Sequence, residues 1–244
     1  MKKLTLALAA LALGSTAAMA QQVVRMGTEG AYPPFNFVNE ANELVGFEID
    51  LGNELCRRAN LTCEWVMNDW DTIIPNLVGG NYDTIIAGMN ATPSRAEVIS
   101  FTQAYKRPDP SAYMALAGTD PSVIESGVIS AQSNTVQSGM VAETGATLIE
   151  FPTPDETIAA VRNGTADAVL ADRDFLMTYF NDSAGEFEFL ALAMPPGQGV
   201  SMGIRQSDDE LRATFNAAID EMKADGSLNA LLLQWFGEET PMFE

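Results

Sequence analysis

"WDTIIPNLVGGNYDTIIAGMNATPSR", residues 70–95, is the stretch on which the fold turns. It reads as a short helix, a turn at Gly79-Gly80, a buried strand over residues 84–87, then a helix start. That start has Thr92 as a hydroxyl cap, Pro93 in the first turn and a Ser94-x-x-Glu97 box. Helix, strand and helix in this order make half of a parallel α/β unit. Arg95 is the anomaly, because a helix N-terminus carries partial positive charge and prefers acids in its first turn. A chain with 13 Lys and Arg against 33 Asp and Glu spends one of its few bases there. Such a placement calls for an anion to arrive.

The same alternation extends outward on both sides. Upstream, residues 23–28 read as a strand and residues 46–60 as a helix with Phe47, Leu51, Leu55 and Ala59 on one face. Cys56 falls near the end of that helix and Cys63 at the start of the next strand, "TCEWV". Downstream, "YKRPDPS" at residues 105–111 carries two prolines and opposite charges, as a crossover would. A second α/β run follows, with strands near residues 112–117, 127–131, 147–151, 166–170 and 187–192. "AMPPGQG" at residues 193–199 reads as a second linker, and "VSMGIR" as a returning strand. Ser207 to Glu210 forms another capping-box pattern; Leu211, Phe215, Ile219 and Met222 make an apolar stripe that Gly226 ends. Two linkers imply a first lobe interrupted by a second. The expected limits are 1–20 for a signal peptide, 21–108 and 195–244 for the first lobe, and 109–194 for the second.

Residues 1–20 have two lysines, an apolar run and Ala18-Met19-Ala20, the pattern of a secretory signal cut before Gln21. The apolar run is too short to span a bilayer, and no cysteine stands at the cleavage site for a lipid anchor. Removing the signal leaves 11 bases and 33 acids, a formal charge of −22. Nucleic acid and anionic lipid are therefore poor partners. Cys56 and Cys63 in an exported chain favour a local disulfide over a metal pair, since the chain has 0 histidines to complete a site. Without histidine the usual Ser-His triad is excluded as well, and an enzyme would have to use carboxylate, lysine or tyrosine.

Six fragments in order carry a resemblance: "GTEGAYPPFNF", "GFEIDLGNELC", the stretch at residues 70–95, "FTQAY", "VRNGTADAVLAD" and "ELRATFNAAIDEMKADGSLNALLLQWFG". Together they resemble the family 3 solute-binding proteins of polar amino-acid ABC importers. The resemblance implies an α/β, two-lobed type II periplasmic-binding fold with two mixed, mostly parallel sheets flanked by helices and a hinge between lobes. It implies that Arg95 pairs with a ligand α-carboxylate, which suits the two parallel hydrogen bonds a guanidinium fork offers. The Gly88 carbonyl would accept from the ligand ammonium, and Asn90 would meet the carboxylate, although the family more often has a small hydroxyl residue at that place. Thr135, in "SAQSNTVQSG", would hold the carboxylate from the second lobe. Asp172 would hold the ammonium at the carboxyl end of a strand, where open α/β sheets place ligands; the alternative for it is a helix N-cap. Asp167 reads as a structural cap.

For the ligand side chain, Glu29, Tyr32 and Trp70 stand where relatives that receive cationic side chains put an acid and aromatic walls. The implied ligand is lysine, arginine or ornithine. The alternatives are a solvated Glu29 with core-packed aromatics, an opine or neutral amino acid such as glutamine, and a cyclohexadienyl dehydratase-like enzyme using Glu29 as acid. The resemblance implies a monomer that closes on its ligand and is recognised by an inner-membrane permease, with no cofactor.

Overall fold

The computed structural model describes residues 23–244, so the expected signal peptide lies outside the described residues. Val23–Thr28 is the middle of the parallel half of a five-stranded sheet. In order, the sheet runs Thr62–Met67, Val23–Thr28, Thr84–Ile85, Gly203–Ile204 and Ser100–Phe101. The first two pairings are parallel, and Gly203–Ile204 is antiparallel to both its neighbours. A second five-stranded sheet runs Thr147–Phe151, Val128–Gln132, Ala168–Asp172, Ser111–Leu116 and Phe187–Ala193. It too is mixed, with Ser111–Leu116 antiparallel on both sides. A small antiparallel sheet of Ala31–Tyr32, Asn36–Val38 and Leu44–Val45 sits beside the first.

Each large sheet buries both faces. Ile85 and Ile86 belong to different apolar clusters, and so do Val169 and Leu170, as the alternation of strand side chains requires. Helices Phe47–Arg58, Asp209–Ala224 and Ser227–Phe236 cover one face of the first sheet. In Phe47–Arg58 the expected stripe holds for Phe47, Leu51 and Leu55, all fully buried, while Ala59 falls past the helix end. Its entry needs glycine: Gly46 has φ 130°, and a Cβ there would stand 2.3 Å from the Phe35 carbonyl oxygen. The Cys56–Cys63 disulfide is formed and ties the end of this helix to the strand Thr62–Met67.

Three local expectations change. The helix after Thr92 is a single turn, Pro93–Ala96, and its cap is Thr92, whose Oγ1 accepts from the Arg95 N–H at 3.3 Å. Ser94 lies inside that turn with its hydroxyl on Thr92, so the Ser94–Glu97 box does not form. A one-turn helix also has little macrodipole to offer an anion. At residues 207–210 the helix begins at Asp209, and Asp208 makes no capping bond because Arg205 holds its carboxylate at 2.6 Å. The returning strand narrows to Gly203–Ile204, because Val200 bridges to Asn90 and Lys106 before the chain reaches the sheet.

The two segments that pass between the sheets are bonded to each other: Tyr105 N–H donates to Val200 O and Val200 N–H to Lys106 O, both at 2.9 Å. Gly199 permits this approach, with φ 103° and an added Cβ only 2.4 Å from the Lys106 carbonyl oxygen. Paired crossovers of this kind make a two-stranded hinge.

Candidate functional site

A tight cavity lies between the sheets. All eight residues singled out in the sequence line it: Glu29, Tyr32, Trp70, Gly88, Asn90, Arg95, Thr135 and Asp172. Ala87, Gln132, Val136 and Gln137 line it too and were not foreseen. Gln132 ends the strand Val128–Gln132 just as Asp172 ends Ala168–Asp172, so the carboxyl-end criterion that found one could have found the other.

The guanidinium of Arg95 donates to the Asn90 carbonyl at 3.0 Å and the Asn134 carbonyl at 3.1 Å, and lies over the Trp70 ring at 5.2 Å. Among the described residues it has no carboxylate in ion-pair contact, Glu97 included. Burial lowers its pKa to about 10, partly offset by Asp172, so it stays charged at neutral pH. A half-buried cation satisfied only by carbonyls and an indole face is an electrostatic vacancy for an anion. Trp70 therefore spends one face on Arg95. The Trp70 Nε1 is buried without a partner among the described residues.

Asp172 opens the helix Arg173–Asp182, yet its side chain makes no capping bond. Instead Oδ2 accepts from the Tyr32 hydroxyl and Oδ1 from Gln137 Nε2, each at 3.0 Å. Gln137 Nε2 also reaches Ser111 Oγ at 3.0 Å, which steadies it. Burial pushes the Asp172 carboxyl up to about 6, against the pull of the Tyr32 hydrogen bond. Tyr32 is stacked on Phe175 at 4.4 Å between ring centroids, so one of its faces is covered.

Glu29 is no solvated surface acid. Gln132 Nε2 donates to its Oε1 at 2.6 Å, and burial, with the charges of Asp69, Asp71 and Asp155, raises its pKa to about 7. The Thr135 hydroxyl is committed elsewhere: it caps Val136–Ala142 by accepting from Ser138 N–H at 3.1 Å and donates to Gln132 O at 2.7 Å. Its hydroxyl is a helix cap because Thr135 is the residue at which the chain turns into the helix. Asn90 gives its carbonyl to Arg95, and Gly88 gives its N–H to Glu48 at 2.7 Å. Asp167 is structural, with Oδ2 accepting from Val128 N–H at 2.7 Å.

Across the cleft mouth, Asp71 Oδ1 accepts from Ser133 Oγ at 2.6 Å and from Asn134 Nδ2 at 2.9 Å. The two sheets are thus drawn together around the cavity. Among the described residues no three His, Cys, Asp or Glu side chains converge as a metal site.

The model of the bacterial extracellular solute-binding proteins, family 3, matches residues 24–238. The lysine/arginine/ornithine-binding periplasmic protein of Escherichia coli is 31% identical over 254 aligned residues, covering 97% of each chain. A periplasmic His/Glu/Gln/Arg/opine family-binding protein from Silicibacter pomeroyi, solved in complex with lysine, is similar at TM-score 0.86 and 59% identity, over 90% of this chain and 100% of that one. An ancestral amino acid-binding protein, a precursor of cyclohexadienyl dehydratase, is similar at TM-score 0.79 and 26% identity, over 88% and 95% of the two chains. Two mixed sheets joined by a paired hinge, a polar cavity between them and a match along nearly all the described residues leave one conclusion: the chain belongs to the bacterial extracellular solute-binding proteins, family 3, of amino-acid importers.

Proposed function

We propose that the protein is the periplasmic receptor of an amino-acid ABC importer with a basic amino acid, lysine, arginine or ornithine, as its ligand. One observation carries the choice: a second half-buried carboxylate, Glu29, stands in a cavity that already has Asp172. With Arg95 positive and both acids ionised, these three groups sum to −1, the complement of a ligand of net charge +1. A neutral zwitterion would leave the half-buried Glu29 uncompensated. The lysine bound by the Silicibacter pomeroyi protein and the ligands named for the Escherichia coli relative support the same choice.

In this reading Arg95 takes the α-carboxylate, helped by backbone N–H groups at Thr135 and Val136 rather than by the Thr135 hydroxyl. Asp172 and the Gly88 carbonyl take the α-ammonium, Glu29 the distal cation, and Asn90 fixes Arg95 through its carbonyl. Contacts from both lobes favour the closed form, which a permease would recognise. Export with removal of residues 1–20 completes the proposal.

Thermal shift against the common amino acids tests it, because a ligand far above its Kd adds several kcal/mol to stability. Lysine, arginine and ornithine are expected to raise Tm strongly; a strong shift by glutamine or glutamate with none by these three would overturn the ligand. A dehydratase reading has one observation in its favour, since a carboxyl near pKa 7 suits a general acid. Turnover of arogenate or prephenate by the purified protein would establish it in place of a pure receptor.

A further inference from the structure

Glu48 is fully buried in the first turn of Phe47–Arg58, outside the cavity lining, and the reading above gives it no task. Its carboxylate nevertheless touches three separate parts of the fold. Oε2 accepts from Asn36 Nδ2 at 2.7 Å; Oε1 accepts from the Gly88 N–H at 2.7 Å and from the Tyr105 hydroxyl. Asn36 in turn accepts on Oδ1 from the Gly30 N–H at 2.7 Å.

The direction of every bond in this chain is forced from its ends. A backbone N–H can only donate, so Asn36 must turn Oδ1 to Gly30 and Nδ2 to Glu48, whose Oε2 must accept. Gly88 N–H likewise obliges Oε1 to accept. Both ends are satisfied only when each carboxyl oxygen of Glu48 accepts, which a carboxyl group allows and an amide, with its NH2 at one end, does not. Gly30 follows Glu29 directly, Gly88 lines the cavity, and Tyr105 lies in the hinge. Gly30 and Gly88 have φ of 75° and 61°, a region where a residue without a side chain has little to hold it apart from such bonds.

Resting on the assignment of an amino acid to this cavity, we propose that Glu48 is a positioning residue for binding: an acceptor hub that holds the Gly30 and Gly88 backbones, and with them the Glu29 carboxylate and the Gly88 carbonyl, where the ligand needs them. A loss of this hub frees two points of the cavity wall and lowers the fraction of molecules preorganised to bind.

The directionality supplies the test. Glu48→Gln sets an amide N–H against Asn36 Nδ2, and no flip of Asn36 repairs it without setting an N–H against Gly30. Adding Asn36→Asp restores every bond at unchanged net charge: the new carboxylate at position 36 accepts from Gly30 and from the new amide at position 48, whose oxygen still faces Gly88 and Tyr105. Calorimetric titration of lysine at pH 8 is expected to give a Kd raised about tenfold by Glu48→Gln and returned to within fivefold of the unsubstituted protein by the pair. A change below fivefold in the folded single variant overturns the proposal, as does a pair that stays outside that range. A purely structural Glu48 would lower the Tm of the empty protein and leave Kd within fivefold. If the single variant does not fold, the pair decides alone, failing the proposal if it does not fold or binds beyond fivefold. An unsubstituted protein that ignores lysine but binds glutamine removes the ligand assignment instead, and the same comparison is then read with glutamine; one that binds no amino acid sinks both.

Discussion

Arg95 and Glu29 are both charged groups partly shielded from water, but they face opposite needs. Arg95 has neutral acceptors and an aromatic face and lacks an anion among the described residues; Glu29 has one amide donor and several acids around it. Arg95→Ala is accordingly expected to abolish binding of every amino acid. Glu29→Gln should weaken lysine and arginine tenfold or more, the scale of a lost charged hydrogen bond, and leave any glutamine binding within threefold. Equal losses in both variants, read by calorimetry, would refute this division. The raised carboxyls also fix the sign of a pH dependence. Folded values of about 7 for Glu29 and about 6 for Asp172 lie above their ordinary 4.5 and 3.8. Their protons therefore stabilise the empty fold fully below the ordinary values, and this stability is lost as pH rises through 6 and 7. A cationic ligand must expel those protons, so its Kd should rise about tenfold per pH unit below 7 and more steeply below 6. Glu29→Gln should remove the limb near 7 only. A Kd that is flat from pH 7.5 to 5.5 would contradict both assignments.

At the scale of elements, the cavity is made where strands end. Val128–Gln132 and Ala168–Asp172 deliver Gln132 and Asp172 at their carboxyl ends, and the loop after Thr84–Ile85 brings Gly88, Asn90 and Arg95 toward them. Helix Phe47–Arg58 supports this wall from behind through Glu48. Its far end is fastened by Cys56–Cys63, which closes a loop with a sequence separation of 7. Chain entropy for so short a loop is worth about 2 kcal/mol. Replacing both cysteines by serine is expected to lower Tm by about 5 °C, with lysine Kd within threefold because the disulfide lies off the cavity. Calorimetry of the empty and liganded protein checks both parts, and a tenfold loss of affinity would show that the helix end reaches the site.

The whole molecule holds its two sheets together by contacts that need no ligand as well as by those that await one. Asp71 joins Ser133 and Asn134 across the mouth, Tyr32 joins Asp172, and Gln132 joins Glu29. Asp71 makes no hydrogen bond to a group assigned to the ligand, so it should act chiefly on the closed fraction, with only its charge reaching Glu29. Asp71→Ala is expected to raise Kd roughly fivefold, equally for lysine, arginine and ornithine, chiefly through faster dissociation. Stopped-flow traces in which the loss differs more than threefold between these ligands would assign Asp71 to recognition instead.

The sequence by itself determined the α/β alternation, the cap at Thr92 and the proximity of Cys56 to Cys63, because turns, caps and apolar periods are local signals spanning a few residues; the eight residues that meet in one cavity were legible only through the resemblance of their motifs to a family. It did not determine what each side chain is bonded to. Tyr32 and Asp172 are 140 residues apart in the chain, Glu29 and Gln132 103, and Glu48 and Tyr105 57. Only packing brings such pairs together, and packing alone decides desolvation. That is why the committed hydroxyl of Thr135, the Arg95 plane resting on Trp70, the raised carboxyls and the Glu48 hub belong to the tertiary structure.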